Sequence, residues 1–517
     1  PGYTPMLKKP SCNWLCLLCA LLISGCSQFT TAPSLNSSST LIKNAIIVDG
    51  TGGLGTTGAV RIKDQYIVAI GALEALEDEQ IIDAGGLVIA PGFIDTHSHH
   101  DVELADNRDV LPLLTQGITT SVFGQDGSHS LPLQKLFDDF DANPSAVNFA
   151  SYVGHNTLRA EVMGQNANRQ ANSAEIAAMQ ELLKSEMNSG ALGLSTGLEY
   201  EPGLYSTREE VLTLAKDTAK IGGRYISHMR SEDRFVWDAV DEIINIGRET
   251  GMPVQVSHIK LAAKGLWGES ERMLGLLNQA RAEGIDITAD LYPYEYWQST
   301  IWVLLPNRDA DDLEEIKYVL DELTPADGII FTHFEPDPSY VNKSVAEIAL
   351  LRGTTEVHTL SNLMKEAQIW SAENGDKSAE SVMGKSMSER DIETFAQWPH
   401  INISSDGGFQ GHPRGYGTFP RVFANYVRGS RVLSVEKAVE SMTSRAALHM
   451  GFTDRGIIQP GFKADLVLFD PETMQDHAGI RDGQVLSSGV EKVWVNGLLV
   501  LDRGEPTGAR SGQVLRR

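Results

Sequence analysis

The sequence is poor in cysteine outside its first residues. Its 517 residues contain four cysteines, and all four lie near the N-terminus: Cys12, Cys16, Cys19 and Cys26. A disulfide framework across the body is therefore excluded, because each bridge needs two cysteines in the part that it connects. The body must rely on its own core, and with 42% apolar residues the chain is too hydrophobic to be disordered.

Positive charge is scarce as well. The chain has 43 Lys and Arg residues against 68 Asp and Glu residues, which gives a formal net charge of -25. Nucleic-acid binding needs clustered cations to neutralise phosphates, so a nucleic-acid partner is excluded. The same acidic excess argues against electrostatic docking on anionic lipid. We expect a small molecule as the partner.

Long hydrophobic runs are missing after the N-terminus. Two lysines precede an apolar run over 14–23, which is too short to span a bilayer but is typical of a secretory signal. The following Ile23-Ser24-Gly25-Cys26 resembles a bacterial lipobox, and cleavage before Cys26 would leave its thiol for lipidation. We therefore predict a signal peptide over 1–25, a Ser/Thr-rich tether over 26–40, and a periplasmic or cell-envelope protein that contacts the membrane only through a lipid anchor. The alternative is a plain signal peptide with an incidental cysteine.

Both ends of the remaining chain have the texture of β-structure. Short apolar runs separated by Gly and Asp fill 41–90, and similar runs fill 451–517. The segment 493–501 reads as a hairpin with Asn496-Gly497 at its turn. We predict that the two ends form one small composite β-sandwich.

The middle, 91–450, alternates short apolar runs with helical periods. Repeated strand–helix alternation is typical of a (β/α)₈ barrel of the TIM type, so we assign the chain to the α/β class. The gap before the last run is long, and we predict an insertion over 301–400 that forms a lid or subdomain. The eight runs are 92–96, 118–123, 147–153, 191–195, 224–227, 254–257, 285–289 and 401–404.

Candidate metal ligands follow several of these runs. His97 and His99 are two residues apart, so on an extended strand both imidazoles face the same side. His228, His258 and Asp406 close the fifth, sixth and eighth runs. Barrel active sites lie at the carboxyl ends of the strands, so these residues predict one divalent-metal site. A histidine of this kind taken alone is more often a hydrogen-bonded core residue.

Three longer motifs indicate which protein family the chain resembles. They are the stretch over 190–200, His228-Met229-Arg230-Ser231-Glu232 and Ser257-His258-Ile259-Lys260. With the ligand set, they resemble the amidohydrolase superfamily and, within it, the N-acyl-D-amino-acid deacylase (D-aminoacylase) family, over about 41–470. The resemblance implies metal-dependent hydrolysis of N-acyl-D-amino acids or of dipeptides with a C-terminal D-residue. Zinc, as one ion or two, is the implied cofactor.

One position departs from the family pattern. Where the better-known D-aminoacylases carry Gly-Asn-Cys-Gly with a zinc-binding cysteine, this chain has Gly124-Gln125-Asp126-Gly127. A carboxylate is a harder ligand than a thiolate and can bridge two ions. Our hypothesis is that Asp126 bridges two groups of ligands; the alternative is that it only contacts ligands of a single ion. The two groups are His97, His99 and Asp406 on one side, and His228 and His258 on the other.

The resemblance also implies roles in the reaction. Asp406 is expected to take the proton of the attacking water and to pass it to the leaving amine. The substrate carboxylate is expected to contact Lys260 and Arg414, with Tyr200 and Tyr292 as hydroxyl donors. The alternative for each of these four is a surface residue or one that supports a ligand.

Two competing functions stay open at this point. A cyclic-amide hydrolase of the dihydroorotase or hydantoinase kind usually supplies a carboxylated lysine from the fourth strand, and the run over 191–195 contains none. A catalytically inactive, metal-binding lipoprotein is the second competitor, against which the intact ligand set weighs.

Overall fold

The computed structural model describes residues 39–375 and 377–517. The predicted signal peptide, Cys26 and nearly all of the predicted tether lie outside the described residues. Within the described part of the chain, no helix combines the length and the hydrophobicity that a membrane crossing requires.

Parallel strands at the centre form the predicted barrel. The third strand has two pieces and links the sheet of the first three strands to the sheet of the remaining five. The first and eighth strands meet through backbone bonds, in which the Asp406 N–H donates to His97 O (2.7 Å) and the His99 N–H to Gly407 O (2.8 Å). In the described residues the strands, in order, are Phe93–Asp95, Ile118–Phe123, Asn148–Ser151 with Val153–Gly154, Gly193–Gly197, Arg224–His228, Val254–Val256, Ile287–Leu291 and Ile401–Ile403. All eight predicted runs are therefore confirmed.

Amphipathic helices surround these strands, and their ends follow local chemistry. Thr207 caps one helix by accepting the Glu210 N–H at 3.1 Å. Gly251, at φ 66°, ends another in the left-handed conformation that glycine adopts without strain. The described α-helices outside the insertion are Leu111–Leu114, Leu133–Ala142, His155–Met163, Ser173–Asn188, Arg208–Lys220, Val236–Thr250, Ser270–Ala282, Glu389–Ala396, Arg414–Arg421, Val435–Met442 and Ser444–Met450.

The two ends of the chain pair with each other. Val88–Pro91 lies antiparallel to Leu466–Phe469, so one sheet contains strands from both ends. Its buried core includes Ile42, Ile89 and Trp494. The predicted hairpin is present, with Asn496 and Gly497 both at positive φ between its strands. The strands of this sheet are Thr40–Ile47, Thr56–Lys63, Tyr66–Gly71, Gln80–Asp83, Val88–Pro91, Leu466–Phe469, Val490–Val495, Leu498–Asp502 and Glu505–Pro506.

The last residues do not stay with this sheet. Val514 bridges to Phe149 of the third barrel strand, and the Leu515 N–H donates to Phe149 O at 2.7 Å. The Arg517 N–H donates to Gly190 O at 2.9 Å. The C-terminal tail therefore packs on the barrel, which the β-texture of 451–517 did not predict.

The long connection before the eighth strand is a subdomain with its own sheet. Three antiparallel strands pair in the order Tyr296–Ser299, Glu380–Lys385, Ile329–Phe334. The first of these strands begins before the predicted boundary at residue 301. Trp297, Ser299, Leu304 and Leu323 of this subdomain line the active-site pocket, so the insertion forms a wall of that pocket. The α-helices of this subdomain are Leu313–Tyr318, Val345–Arg352 and Glu356–Glu373. The helix Glu389–Ala396 lies within the predicted insertion over 301–400 but packs against the barrel helix Ser270–Ala282.

Candidate metal centre and active site

Four predicted ligands meet at the carboxyl ends of the first, second and eighth strands. His97 Nε2 lies 3.4 Å from Asp126 Oδ1 and 3.4 Å from Asp406 Oδ1. His99 Nε2 lies 3.2 Å from oxygens of the same two carboxylates. One ligand atom from each of the four residues falls within 4.8 Å of all the others. Two imidazoles and two carboxylates therefore converge on one point.

A second group shares Asp126 with the first. His258 Nε2 lies 3.4 Å from Asp126 Oδ1 and 3.0 Å from His228 Nδ1. Ligand atoms of Asp126, His228 and His258 again lie within 4.8 Å of one another. The Asp126 carboxylate is thus the side chain that the two groups have in common.

Three of these residues have an uncommon backbone conformation. Asp126, His258 and Asp406 have φ values of 51°, 35° and 49°. Residues other than glycine rarely adopt positive φ. Each instance costs about 1–3 kcal/mol and persists only where the surrounding structure enforces it. All three positions lie within three residues of the end of a barrel strand. Their side chains meet in the ligand clusters.

The donor set fits a divalent metal. His97 is fully buried, yet neither of its ring nitrogens has a hydrogen-bond partner among the described residues, and Asp126 Oδ1 has none either. Leaving such an atom unsatisfied costs about 1–3 kcal/mol. Imidazole nitrogens and carboxylate oxygens are the ligands that zinc and similar ions prefer. A bound cation would satisfy His97 Nε2 and Asp126 Oδ1 together, whereas His97 Nδ1 faces Asp290 Oδ1 at 3.6 Å.

The electrostatics of the centre point the same way. Burial alone would lower the pKa of His99, but hydrogen bonds and charge from Asp126 and Asp406 raise that pKa to about 9. Burial and Lys260 likewise lower the pKa of His258, and neighbouring carboxylates including Glu232 raise it to about 9. The pKa of Asp406, which burial raises, is lowered overall by Arg414 and by histidines. The carboxylates therefore create a negative potential at the centre, and this potential stabilises a bound cation.

Two buried carboxylates behind the centre hold it in place. Asp290 Oδ1 accepts the His258 N–H (2.8 Å) and the Ser404 hydroxyl (2.7 Å). Asp95 accepts both the N–H and the hydroxyl of Ser405, the residue before Asp406. Burial raises the pKa of Asp95 to about 6, although the bonds from Ser405 oppose this. Sequence reasoning missed both residues, although each lies at the end of a barrel strand.

Sequence reasoning also missed two glutamates beside the second group. Glu199 Oε2 lies 3.0 Å from His228 Nε2, and Glu232 Oε1 lies 2.9 Å from His258 Nδ1. Both belong to motifs that support the family resemblance, and that was the available signal. A carboxylate that accepts the outer N–H of a ligand histidine fixes its tautomer and ring orientation.

Lys260 lies in the pocket beside Glu232. Its Nζ lies 2.8 Å from each carboxylate oxygen of Glu232 and 2.7 Å from His258 Nδ1. Because His258 Nδ1 donates to Glu232 in the tautomer described above, Lys260 donates to Glu232 and not to this nitrogen. It lines the pocket, but its contact with a substrate carboxylate stays a prediction.

Arg414 and Tyr292 have donors that no protein group uses. Arg414 Nη1 forms an ion pair with Asp406 Oδ2 at 2.7 Å, and the guanidinium lies 4.6 Å from the centre of the Tyr292 ring. Among the described residues, Arg414 Nε and Tyr292 Oη are buried without a hydrogen-bond partner, whereas Arg414 Nη1 is engaged by Asp406. Tyr200 also lines the pocket, with its ring 4.3 Å from that of His228. Every predicted site residue within the described part of the chain therefore lies either in the ligand cluster or in the pocket that borders it.

Known proteins are similar to this chain in sequence and in fold. The model of the Amidohydrolase family matches residues 80–302 and 393–501, leaving out most of the insertion. D-aminoacylase and N-acyl-D-glutamate deacylase of Alcaligenes xylosoxydans xylosoxydans are each 33% identical to this chain, over 92% of it and 97% and 96% of their own lengths. The crystal structure of N-acyl-D-glutamate deacylase from Bordetella bronchiseptica, complexed with zinc and a phosphonate inhibitor, matches with a TM-score of 0.82 at 32% identity, over 92% of this chain and 99% of that one. The chain therefore belongs to the amidohydrolase family and, within it, to the group that contains D-aminoacylase.

Proposed function

We propose that this protein hydrolyses the amide bond of N-acyl-D-amino acids, or of dipeptides with a C-terminal D-residue. One observation carries the proposal: the buried, unpartnered donors of Arg414 and Tyr292 lie beside Asp406 of the metal-type ligand cluster. A planar guanidinium suits a carboxylate, so a substrate held there by its carboxylate presents its amide to the cluster. The curated relatives named for D-amino-acid derivatives support the same substrate class.

The metal would be zinc, held in two positions. His97, His99 and Asp406 would provide one, His228 and His258 the other, with Asp126 bridging them. The sharing of Asp126 by both groups of ligand atoms supports this assignment. When bound, a zinc ion lowers the pKa of water and polarises a carbonyl.

Within that setting the protein side chains have separate tasks. Asp406 accepts the proton of the attacking water and then donates it to the leaving nitrogen, because its carboxylate borders both the ligand cluster and Arg414. Arg414 and Tyr292 orient the substrate by its carboxylate, and Tyr200 supplies a further hydroxyl. Glu199 and Glu232 keep the two histidines oriented.

The competing functions have less support. A cyclic-amide hydrolase would need its lysine on the fourth strand, and Gly193–Gly197 contains none. The intact ligand cluster of His97, His99, Asp126 and Asp406 weighs against an inactive binding protein.

We also propose that the protein is lipid-anchored in the bacterial envelope through Cys26. The lipobox-like sequence before Cys26 and the Ser/Thr-rich segment after it support this location.

The substrate class is tested with purified enzyme and a panel of compounds. We expect N-acetyl-D-leucine to be hydrolysed, N-acetyl-L-leucine not to be, and hydantoin not to be. Release of free amino acid is the measurement. Hydrolysis of only L-configured or only cyclic compounds would refute the proposal.

Replacing Asp406 by Asn should lower kcat by about 10²–10⁴-fold, because the amide cannot take the proton of the water. The amide oxygen retains coordinating ability, so the metal content should stay near the wild-type value. Steady-state rates and metal analysis of the same preparation check both statements. Near-normal turnover in Asp406→Asn would remove the residue from this role.

Replacing Asp126 by Ala should lower the bound zinc per chain, because both groups lose their common ligand. Asp126→Cys restores a coordinating side chain and serves as the matched control, in which zinc should be retained. Elemental analysis after dialysis is the measurement. An unchanged zinc content in Asp126→Ala would favour a single ion held without this carboxylate.

Replacing Cys26 by Ser should abolish lipid attachment. Bacteria expressing the full chain are grown with radiolabelled palmitate, and the label on the protein is measured together with its membrane fraction. Cys19→Ser is the control and should stay labelled, since it lies before the predicted cleavage point. An unlabelled wild-type protein would contradict the anchor.

A further inference from the structure

We propose that the subsite for the substrate side chain takes an uncharged D-residue and rejects a second carboxylate. The inference rests on the proposed function and names the substrate class within it. Similarity does not decide this point, because D-aminoacylase and N-acyl-D-glutamate deacylase are equally similar to this chain, at 33% identity. The composition of the pocket does.

The first argument is the supply of positive charge. Among the described residues that line the pocket, the permanent cations are Lys260 and Arg414. Lys260 is neutralised by both oxygens of Glu232, each at 2.8 Å. Arg414 is paired with Asp406 through Nη1, and the proposed function assigns its unpartnered Nε to the α-carboxylate of the substrate. No lining cation is left for a second carboxylate.

The second argument is that the rest of the pocket wall is mostly apolar or already hydrogen-bonded. Val303, Leu304, Leu323 and Ala262 give it apolar surface. Its polar neighbours already serve the protein: the amide of Gln298, for instance, accepts the His412 N–H at 2.7 Å. A buried carboxylate against such a wall would lose its hydration without gaining partners.

The third argument is the charge that is present. Glu199 and Asp233 also line the pocket, and both are acids. A carboxylate on the substrate side chain would lie near like charge, which raises the free energy of its ionised form. A neutral side chain of the same shape would not.

The test compares N-acetyl-D-glutamine with N-acetyl-D-glutamate, which match in shape and differ in charge. With the zinc-loaded wild-type enzyme, we expect kcat/KM for the glutamine compound to exceed that for the glutamate compound by about 100-fold or more. N-acetyl-D-leucine is the reference. If N-acetyl-D-leucine is hydrolysed and the glutamine and glutamate compounds have equal kcat/KM, the inference is overturned and the proposed function stays intact. If none of the three compounds is hydrolysed, the proposed function itself is refuted.

A pair of variants checks the cause. Ser299 lines the pocket from the insertion. Ser299→Lys adds a cation there, and Ser299→Met adds similar length without charge. We expect the glutamate-to-glutamine ratio of kcat/KM to rise at least tenfold in Ser299→Lys relative to Ser299→Met. Equal ratios in the two variants would show that charge does not set the discrimination.

Discussion

The active site depends on one carboxylate held between two sets of histidines. Asp126 Oδ1 lies 3.4 Å from both His97 and His258, and no protein hydrogen bond satisfies it among the described residues. An anion in that position needs a cation, and the histidines around it can provide coordination but not permanent charge. The strained backbone at Asp126 shows that the fold enforces this arrangement. The centre is therefore built for metal rather than for its own stability.

The barrel makes such a centre possible because parallel strands end at one edge. Backbone hydrogen bonds between the first and eighth strands place His97 beside Asp406. Asp95 accepts the N–H of Ser405, and Asp290 accepts the N–H of His258, so these two acids hold the turns that carry Asp406 and His258. Beside this centre, two acids form ion pairs with two cationic side chains: Glu232 with Lys260, and Asp406 with Arg414. Both cations are therefore paired with acids, and Arg414 differs from Lys260 in the Nε that stays without a partner among the described residues.

Sequence reasoning recovered the architecture and pointed to side chains that the structure brings together. Short apolar runs alternating with helical periods predicted all eight barrel strands, and the spacing of His97 and His99 predicted a shared target. The departure at Asp126 was visible because the surrounding glycines preserved the motif. Glu199, Glu232, Asp95 and Asp290 were missed, since a single acidic residue near a strand end has no pattern of its own. The course of the C-terminal tail was missed because its backbone bonds to Phe149 and Gly190 join segments distant in the chain.

The sequence by itself determined the strand order, the ligand types and the absence of disulfides from the body, because these follow from local periodicity and residue chemistry. Only the tertiary structure decided which charges cancel. Lys260 and Arg414 are both plausible carboxylate ligands in the sequence. Lys260 contacts both oxygens of Glu232, whereas Arg414, paired with Asp406 through Nη1, keeps Nε without a partner among the described residues. That difference arises from contacts between loops of separate strands. It also decides how much charge the pocket can accept.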